Sequence, residues 1–280
     1  MLTLHKLKVS LTIISICILG LVLWAFVIEP SRLVIHRETL QIPNWQTEHN
    51  GLKIALLTDL HVGSPHTGLD KLQKIVDLTN AEQPDLILIT GDFMIQDVIG
   101  GKFVEPEPIA EVLKGLRAPL GVIAVLGNHD WWYDGTHVTN ALRSAGITVL
   151  ENQSQKIDLN GKSFWVAGIA DQWTRSPNIQ GTLRNIDPNE PVIVMTHNPD
   201  IFPSVPARVS LTLAGHTHGG QVDLPFLGRP LVPSRFGEKY AAGHIIEDGK
   251  NLFVGTGIGT SIYPVRFRVP PEIVILTLGK

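Results

Sequence analysis

Nine side chains able to bind a metal ion or move a proton follow the ends of short apolar runs. There are five such runs, and each predicts a buried strand. The nine residues are Asp59, His61, Asp92, Asn128, His129, Asp130, His197, His216 and His218. Loops at the carboxyl ends of strands in an open parallel sheet converge on one crevice. We therefore expect the five strand ends to bring these groups together.

Two of the strand ends carry a pair of groups two residues apart, Asp59 with His61 and His216 with His218. In an extended chain, residues i and i+2 point the same way, so each pair is predicted to face one spot. Taken singly, an aspartate after a strand is usually a turn or helix-capping residue. A single histidine there is more often a surface residue. The hypothesis of a site rests on all five strand ends together.

The chemistry of this set is that of nitrogen and oxygen ligands. Cys17, in the N-terminal apolar run, is the one cysteine of the chain, so cysteine ligands, a cysteine nucleophile and disulfides are excluded from the folded part. Imidazole, carboxylate and amide groups suit Mn²⁺, with iron or Zn²⁺ as alternatives, better than a structural zinc site. The seven candidate ligands Asp59, His61, Asp92, Asn128, His197, His216 and His218 are too many for one tetrahedral ion. They suit two divalent ions about 3.5–4 Å apart that share a carboxylate.

The elements that position these groups alternate between strand and helix in the first half of the chain. Such alternation predicts a parallel sheet covered by helices. The strand candidates are 52–58, 85–90 and 121–127, and the helix candidates are 69–80, 109–117 and 137–146. The second half is richer in strands, with candidates at 156–169 (a hairpin across Asn160-Gly161), 191–196, 208–215, 240–246, 251–256 and 272–278. Two sheets packed face to face, with helices outside, would use all of them.

The N-terminal segment 9–28 is twenty residues without a charge, long enough at 1.5 Å per residue to cross a bilayer core of about 30 Å. An uncleaved anchor is the favoured interpretation, over a cleaved signal peptide or a buried core helix. Lys6 and Lys8 precede the run, and Arg32 and Arg37 follow it. With the terminal amine, this count favours a cytoplasmic N-terminus and a folded domain on the outer side by a single charge, so the side stays open. We divide the chain into an anchor (1–28), a juxtamembrane spacer with a first strand (29–51) and one domain (52–280).

The overall composition excludes some classes of partner. The 280 residues carry a formal net charge of −3. The chain therefore lacks the excess of basic residues that would indicate a nucleic-acid partner. Nothing in the sequence indicates an obligate protein partner.

The ordered motifs resemble the calcineurin-like metallophosphoesterases. Those motifs are D-x-H at 59–61, G-D at 91–92, G-N-H-D at 127–130, a strand-end His197, and G-H-x-H at 215–218. The resemblance implies a four-layer αββα sandwich preceded by one transmembrane helix. It also implies that Asp59, His61, Asp92 and His218 bind one ion, and that Asp92, Asn128, His197 and His216 bind the other. His129 would face the substrate as a general acid, with Asp130 orienting it.

The resemblance further implies a hydrolase that attacks a phosphodiester or pyrophosphate with a hydroxide bridging the two ions. "GHTHGGQ", "GTGIGTS" and the apolar N-terminus are similar to a bacterial branch of membrane-associated phosphodiesterases. We therefore expect a single-pass protein of the bacterial inner membrane with a lipid-linked or nucleotide-linked phosphoester substrate. The alternatives are a UDP-2,3-diacylglucosamine pyrophosphatase, a phosphomonoesterase, or a metal-binding scaffold without turnover.

Two features near the motifs are each open to two interpretations, and a third is a candidate phosphate-binding group. Trp131 and Trp132 either pack in the core or stack on a base or sugar. The Pro-rich segment 222–240 either forms a pocket lip against the bilayer or covers the domain as a loop. Arg235 or Arg266 could neutralise a second phosphate.

Overall fold

Two six-stranded sheets pack face to face in the computed structural model, which describes residues 2–159 and 161–280, with side chains from residue 4 onward. The strands are β1 Val34–Gln41, β2 Leu52–Leu57, β3 Leu86–Ile89, β4 Val122–Ala124, β5 Thr148–Val149, β6 Gln153–Leu159, β7 Lys162–Gly168, β8 Val192–Met195, β9 Leu211–Ala214, β10 Gly243–Glu247, β11 Lys250–Val254 and β12 Glu272–Gly279. The first sheet has the order β1-β12-β2-β3-β4-β5, and the second has the order β10-β11-β9-β8-β7-β6.

The strands that precede the predicted site run parallel within each sheet. In the first sheet β2, β3, β4 and β5 are parallel, and β12 is antiparallel to β2. In the second sheet β7, β8, β9 and β11 are parallel. Their carboxyl ends therefore meet at one edge of the two sheets. The first strand of the predicted spacer, β1, is hydrogen-bonded to β12 as the outer strand of the first sheet.

Helices cover the outer faces of both sheets. Before the sandwich come α1 Leu2–Leu23, a π-helical turn Trp24–Ile28 and α2 Glu29–Ser31. The helices of the sandwich are α3 Leu69–Ala81, α4 Pro106–Leu113, α5 Asn128–Tyr133, α6 Gly135–Ser144 and α7 Ile179–Leu183. Short 3₁₀ turns span Thr47–His49, Pro199–Ser204, His218–Gly220 and Gly237–Tyr240. The described chain thus has the predicted four-layer αββα order.

Three apolar layers hold the sandwich together, and β2 shows how. Ala55 and Leu57 pack toward the helices on the first sheet, while Ile54 and Leu56 pack between the two sheets. Alternate residues of a strand point to opposite faces, so burial on both faces requires a continuous apolar run. A third layer lies between the second sheet and its own helical turns.

The predicted elements are confirmed with shifted ends. The helix predicted at 109–117 begins earlier, at Pro106, because proline is well tolerated in the first helical turn. The strand predicted at 240–246 begins only at Gly243, because a 3₁₀ turn takes up Gly237–Tyr240. The predicted hairpin is present as β6 and β7, with Asn160 lying outside the described residues. Helix α5, which carries His129 and Asp130, was not predicted.

The apolar N-terminal helix stands outside the sandwich. The span Leu4–Ser31 has a mean hydropathy of 2.8 over its most apolar window, and none of that window is buried against the rest of the protein. The helix is therefore not a core helix of the domain. By length and composition it is able to cross a membrane.

Candidate metal centre

The strand ends bring the predicted ligands into one buried cluster. His61 Nε2 lies 3.0 Å from His218 Nε2, and His216 Nδ1 lies 3.0 Å from His197 Nε2. Asn128 Oδ1 is also 3.0 Å from His197 Nε2. Asp59 and Asp92 are buried among these rings. All seven residues predicted as ligands are at one place.

The cluster divides into two groups of potential ligands. The first contains Asp59, His61 and His218, and the second contains Asp92, His197 and His216; within each group the ligand atoms lie within 4.8 Å of one another. A third combination that meets the same distance, His61 with Asp92 and the half-buried His129, takes two of its members from these groups. Asp92 Oδ2 is 3.4 Å from His61 Nε2 and 3.3 Å from His197 Nε2. The Asp92 carboxylate therefore lies between the groups. His216 and His218, although two residues apart, belong to different groups.

Three buried imidazole nitrogens of the cluster indicate that its residues fit divalent ions. His61 Nδ1, His216 Nε2 and His218 Nδ1 have no hydrogen-bond partner in the described part of the chain. An unpaired buried polar atom is costly, so clustered imidazoles and carboxylates need a compensating group. A divalent cation compensates for them, because neutral imidazole and carboxylate are its ordinary ligands.

Burial sets the protonation of most of these groups. It lowers the pKa of His61 and His218 well below the ordinary value and that of His216 to about 3, which leaves lone pairs on neutral rings. Burial alone would raise the pKa of Asp92, but the surrounding imidazoles, His197 first among them, together outweigh burial and hold that pKa well below its usual range. Burial opposes a charge on His197 too, yet Asp92 raises the pKa of His197 to about 10.

The backbone at the ligands is not extended. The prediction that an extended chain makes the two side chains of each i, i+2 pair face one spot is therefore wrong. Five of the seven predicted ligands have left-handed φ, namely Asp59 (48°), His61 (41°), Asp92 (57°), His216 (69°) and His218 (51°). This conformation costs a non-glycine residue about 1–3 kcal/mol and persists only where surrounding structure enforces it. The side chains of each i, i+2 pair converge because the loops turn sharply after the strands.

Asp130 holds these loops in place. Its Oδ2 accepts the backbone N–H groups of Asp92 and Gly127, and its Oδ1 accepts that of Phe93, each at 2.8 Å. Both carboxylate oxygens are thus used on backbone, and the expectation that Asp130 orients the imidazole of His129 is corrected. That imidazole instead has Gln96 Oε1 3.3 Å from its Nδ1.

His129 lies at the edge of the cluster. It is half-buried, its backbone N–H donates to Asp92 Oδ1 at 2.9 Å, and its ring stands edge-on to His61 with centroids 4.9 Å apart. Burial lowers the pKa of His129. The ring is therefore next to the potential ligands but also accessible from outside.

Glycines let the ligand loops pack directly against the ligands. A Cβ on Gly127 would lie 2.2 Å from Asp92 Oδ1 and 2.7 Å from His197 Nδ1. A Cβ on Gly215 would lie 2.5 Å from Asp59 Oδ2. The glycines of the G-N-H-D and G-H-x-H motifs are thus required by close approach.

Two tryptophans flank the cluster. Trp132 is 58% exposed and lies edge-on to His129, and Trp173 is 50% exposed and lies edge-on to His216. Their ring centroids are 6.4 Å apart. Trp131, by contrast, packs on the apolar core and under Arg175. Sequence reasoning missed Trp173, because the loop after β7 carries no metal-ligand motif.

The two arginines considered for a second phosphate are engaged elsewhere. Arg266 is fully buried and donates to the carbonyls of Val269, Thr256 and Gly259, so it is a structural residue. Arg235 donates to the carbonyl of Asp200, with its side chain otherwise exposed.

Comparison with known proteins agrees with this geometry. The sequence model described as calcineurin-like phosphoesterase matches residues 52–220. The chain is 31% identical to the uncharacterized metallophosphoesterase YkuE of Bacillus subtilis, over 91% of this chain and 88% of YkuE. It is 32% identical to phosphodiesterase YaeI of Escherichia coli, over 81% and 82%. It is 25% identical to the UDP-2,3-diacylglucosamine pyrophosphatase LpxG of Chlamydia trachomatis, over 90% and 91%.

Gly127→Ala tests whether packing at the ligands controls metal binding. The new methyl group would displace Asp92 or His197, so we expect Mn²⁺ content after loading and desalting to fall severalfold although every ligand is retained. Gly68→Ala is the control, because a Cβ there meets nothing within 4 Å. Equal Mn²⁺ content in both variants would contradict the tight packing.

Proposed function

The chain belongs to the calcineurin-like phosphoesterase family of hydrolases, and on that premise we propose that it cleaves phosphodiester or pyrophosphate bonds at a centre of two divalent metal ions. The observation that carries the proposal is the pair of buried ligand groups with the Asp92 carboxylate between them. A single ion would leave one group uncompensated.

We assign the ligands of each ion from the two groups of the candidate metal centre. Asp59, His61, Asp92 and His218 would hold one ion, and Asp92, Asn128, His197 and His216 would hold the other. Mn²⁺ suits this shell of nitrogen and oxygen atoms, with iron and Zn²⁺ as alternatives. When bound, two such ions lower the pKa of water and offset negative charge on phosphoryl oxygens.

His129 is the proposed general acid. Gln96 Oε1 lies 3.3 Å from its Nδ1, so in a protonated ring held in this way Nε2 is the nitrogen left to donate a proton to the substrate. That proton would go to the leaving oxygen of the substrate. Asp130 is a positioning residue in this proposal. Its carboxylate accepts backbone N–H groups from the loop of Asp92 and from Gly127, which begins the loop that carries His129, and so fixes the two loops relative to each other.

The substrate that we propose is a lipid-linked or nucleotide-linked phosphoester. The exposed rings of Trp132 and Trp173, next to His129 and His216, offer stacking surfaces for a base or sugar. The apolar helix Leu4–Ser31 supports anchoring as a single-pass protein of a bacterial inner membrane. The similarity to LpxG over nine-tenths of both chains favours hydrolysis of a UDP-linked acyl sugar as the second candidate.

Hydrolysis of bis-p-nitrophenyl phosphate tests the proposed function. The purified full-length protein should release p-nitrophenol with Mn²⁺, lose this activity after chelation, and recover it when Mn²⁺ is restored, because bound ions would supply both the activated water and the positive charge that offsets the phosphoryl oxygens. A rate that survives removal of the metal, or no hydrolysis with any of Mn²⁺, iron or Zn²⁺, would overturn the two-ion phosphodiesterase.

His129→Ala separates the proposed acid from the ligands. We expect the metal content to stay at the wild-type level while kcat falls about a hundredfold to ten-thousandfold, the usual contribution of a general acid. His137→Ala is the matched control, since His137 hydrogen-bonds Glu107 on the surface. Loss of metal from His129→Ala would show that this imidazole is a ligand instead.

A further inference from the structure

Two loops and helix α3 of the domain bind the end of the apolar helix. The carbonyl of Ala25 accepts from the backbone N–H of Arg266 at 2.9 Å, and the carbonyl of Phe26 accepts from His66 Nε2 at 3.0 Å. Lys71 Nζ donates to the carbonyl of Pro30 at 2.9 Å. Because the uncharged run continues to Ile28, these contacts lie at the level of its last apolar residues. In an anchored protein, that level is the bilayer interface.

Exposed apolar side chains surround this junction. Ile262 is 66% exposed, and both it and Tyr263 stand in the loop that leads to Arg266. The carbonyl of Ile262 accepts from the backbone N–H of Ile99, whose side chain is also exposed. Large apolar side chains that are exposed together mark a surface that contacts a partner or a membrane.

A tight turn adds two further apolar groups. The backbone groups of Leu224 and Gly228 hydrogen-bond each other, which leaves Phe226 and Leu227 exposed at the tip. Two contacts tie this turn to the same junction. The backbone N–H of Asp223 donates to the carbonyl of Phe267, the residue after Arg266. Just before the turn, Gln221 Nε2 donates to the carbonyls of Ser261 and Tyr263.

We propose that these five side chains form an interfacial patch (Ile99, Phe226, Leu227, Ile262 and Tyr263) that docks into the bilayer surface beside the anchor. The occupant is the lipid surface, because the patch is continuous with the point where the apolar helix enters the domain. Arg32, which follows the apolar run, and Arg268, two residues after Arg266, are exposed cations and suit anionic headgroups. The inference rests on the proposed anchoring and fixes how the domain sits on the membrane.

Lipid contact fixes the orientation of the metal centre. Gln221 directly follows the turn His218–Gly220, so the loop that carries His216 and His218 runs straight into the patch. A docked patch holds this loop at the headgroup level. A membrane-linked phosphoester would then reach the centre without leaving the bilayer.

Site-specific fluorescence in lipid tests the patch. Phe226→Cys and Ile262→Cys, each made in a Cys17→Ser background, are labelled with an NBD fluorophore. The full-length protein is then placed in nanodiscs of phosphatidylcholine and phosphatidylglycerol. We expect a blue-shifted emission at both positions, quenched by nitroxide-labelled acyl chains. Ile246→Cys is the matched control. Ile246 is 68% exposed, but it pairs with Asn251 near the start of β11, at the end of the β10–β11 ladder opposite to the carboxyl end of β11.

The proposal needs quenching at both patch positions and none at Ile246. Quenching at neither or at only one patch position overturns it. So does a blue shift that is already present in detergent and insensitive to the nitroxide lipid, which would indicate a second copy of the chain as the occupant. Hydrolysis of bis-p-nitrophenyl phosphate is measured on the same samples. Inactive protein with quenched labels would overturn the proposed function alone, and active protein with unquenched labels would overturn the patch alone.

Discussion

The buried carboxylate of Asp92 is the constraint on which the rest of the site depends. It lies between two groups of imidazoles, 3.4 Å from one ring nitrogen and 3.3 Å from another. A charge in such a position is stable only when the groups around it are held in a fixed arrangement that offsets the loss of solvation. Asp130 supplies part of that arrangement by binding the backbone of the Asp92 loop and the Gly127 loop at once.

The sandwich supplies the rigidity that this arrangement needs. Apolar layers on both faces of the first sheet fix β2, β3 and β4, so the loops that follow them start from fixed points. Left-handed φ values at five of the proposed ligands then aim the side chains inward. Strain of this kind is characteristic of functional sites, where packing enforces a conformation that the residue alone would avoid. Gly127 and Gly215 allow the loops to approach the carboxylates without a Cβ in the way.

The order of the elements and the identity of the clustered groups followed from the sequence, because apolar runs and the motifs at their ends are local patterns. The turn of the backbone at Asp59 and His61 did not, since φ depends on contacts with distant loops. The same is true of Asp130, whose partners lie near in space but across two motifs, and of Arg266, which the sequence offered as a phosphate-binding group and which is fully buried. Trp173 was missed because only tertiary structure brings it to His216.

The proposed bridge at Asp92 is the central claim, and metal stoichiometry tests it most directly. Wild-type protein loaded with Mn²⁺ should hold two ions per chain, and Asp92→Ala should hold neither at full occupancy, because both groups lose the carboxylate between them. Asp77→Ala, which removes an exposed carboxylate from α3, should retain both ions. Retention of either ion at full occupancy in Asp92→Ala would contradict the bridge and with it the two-ion centre.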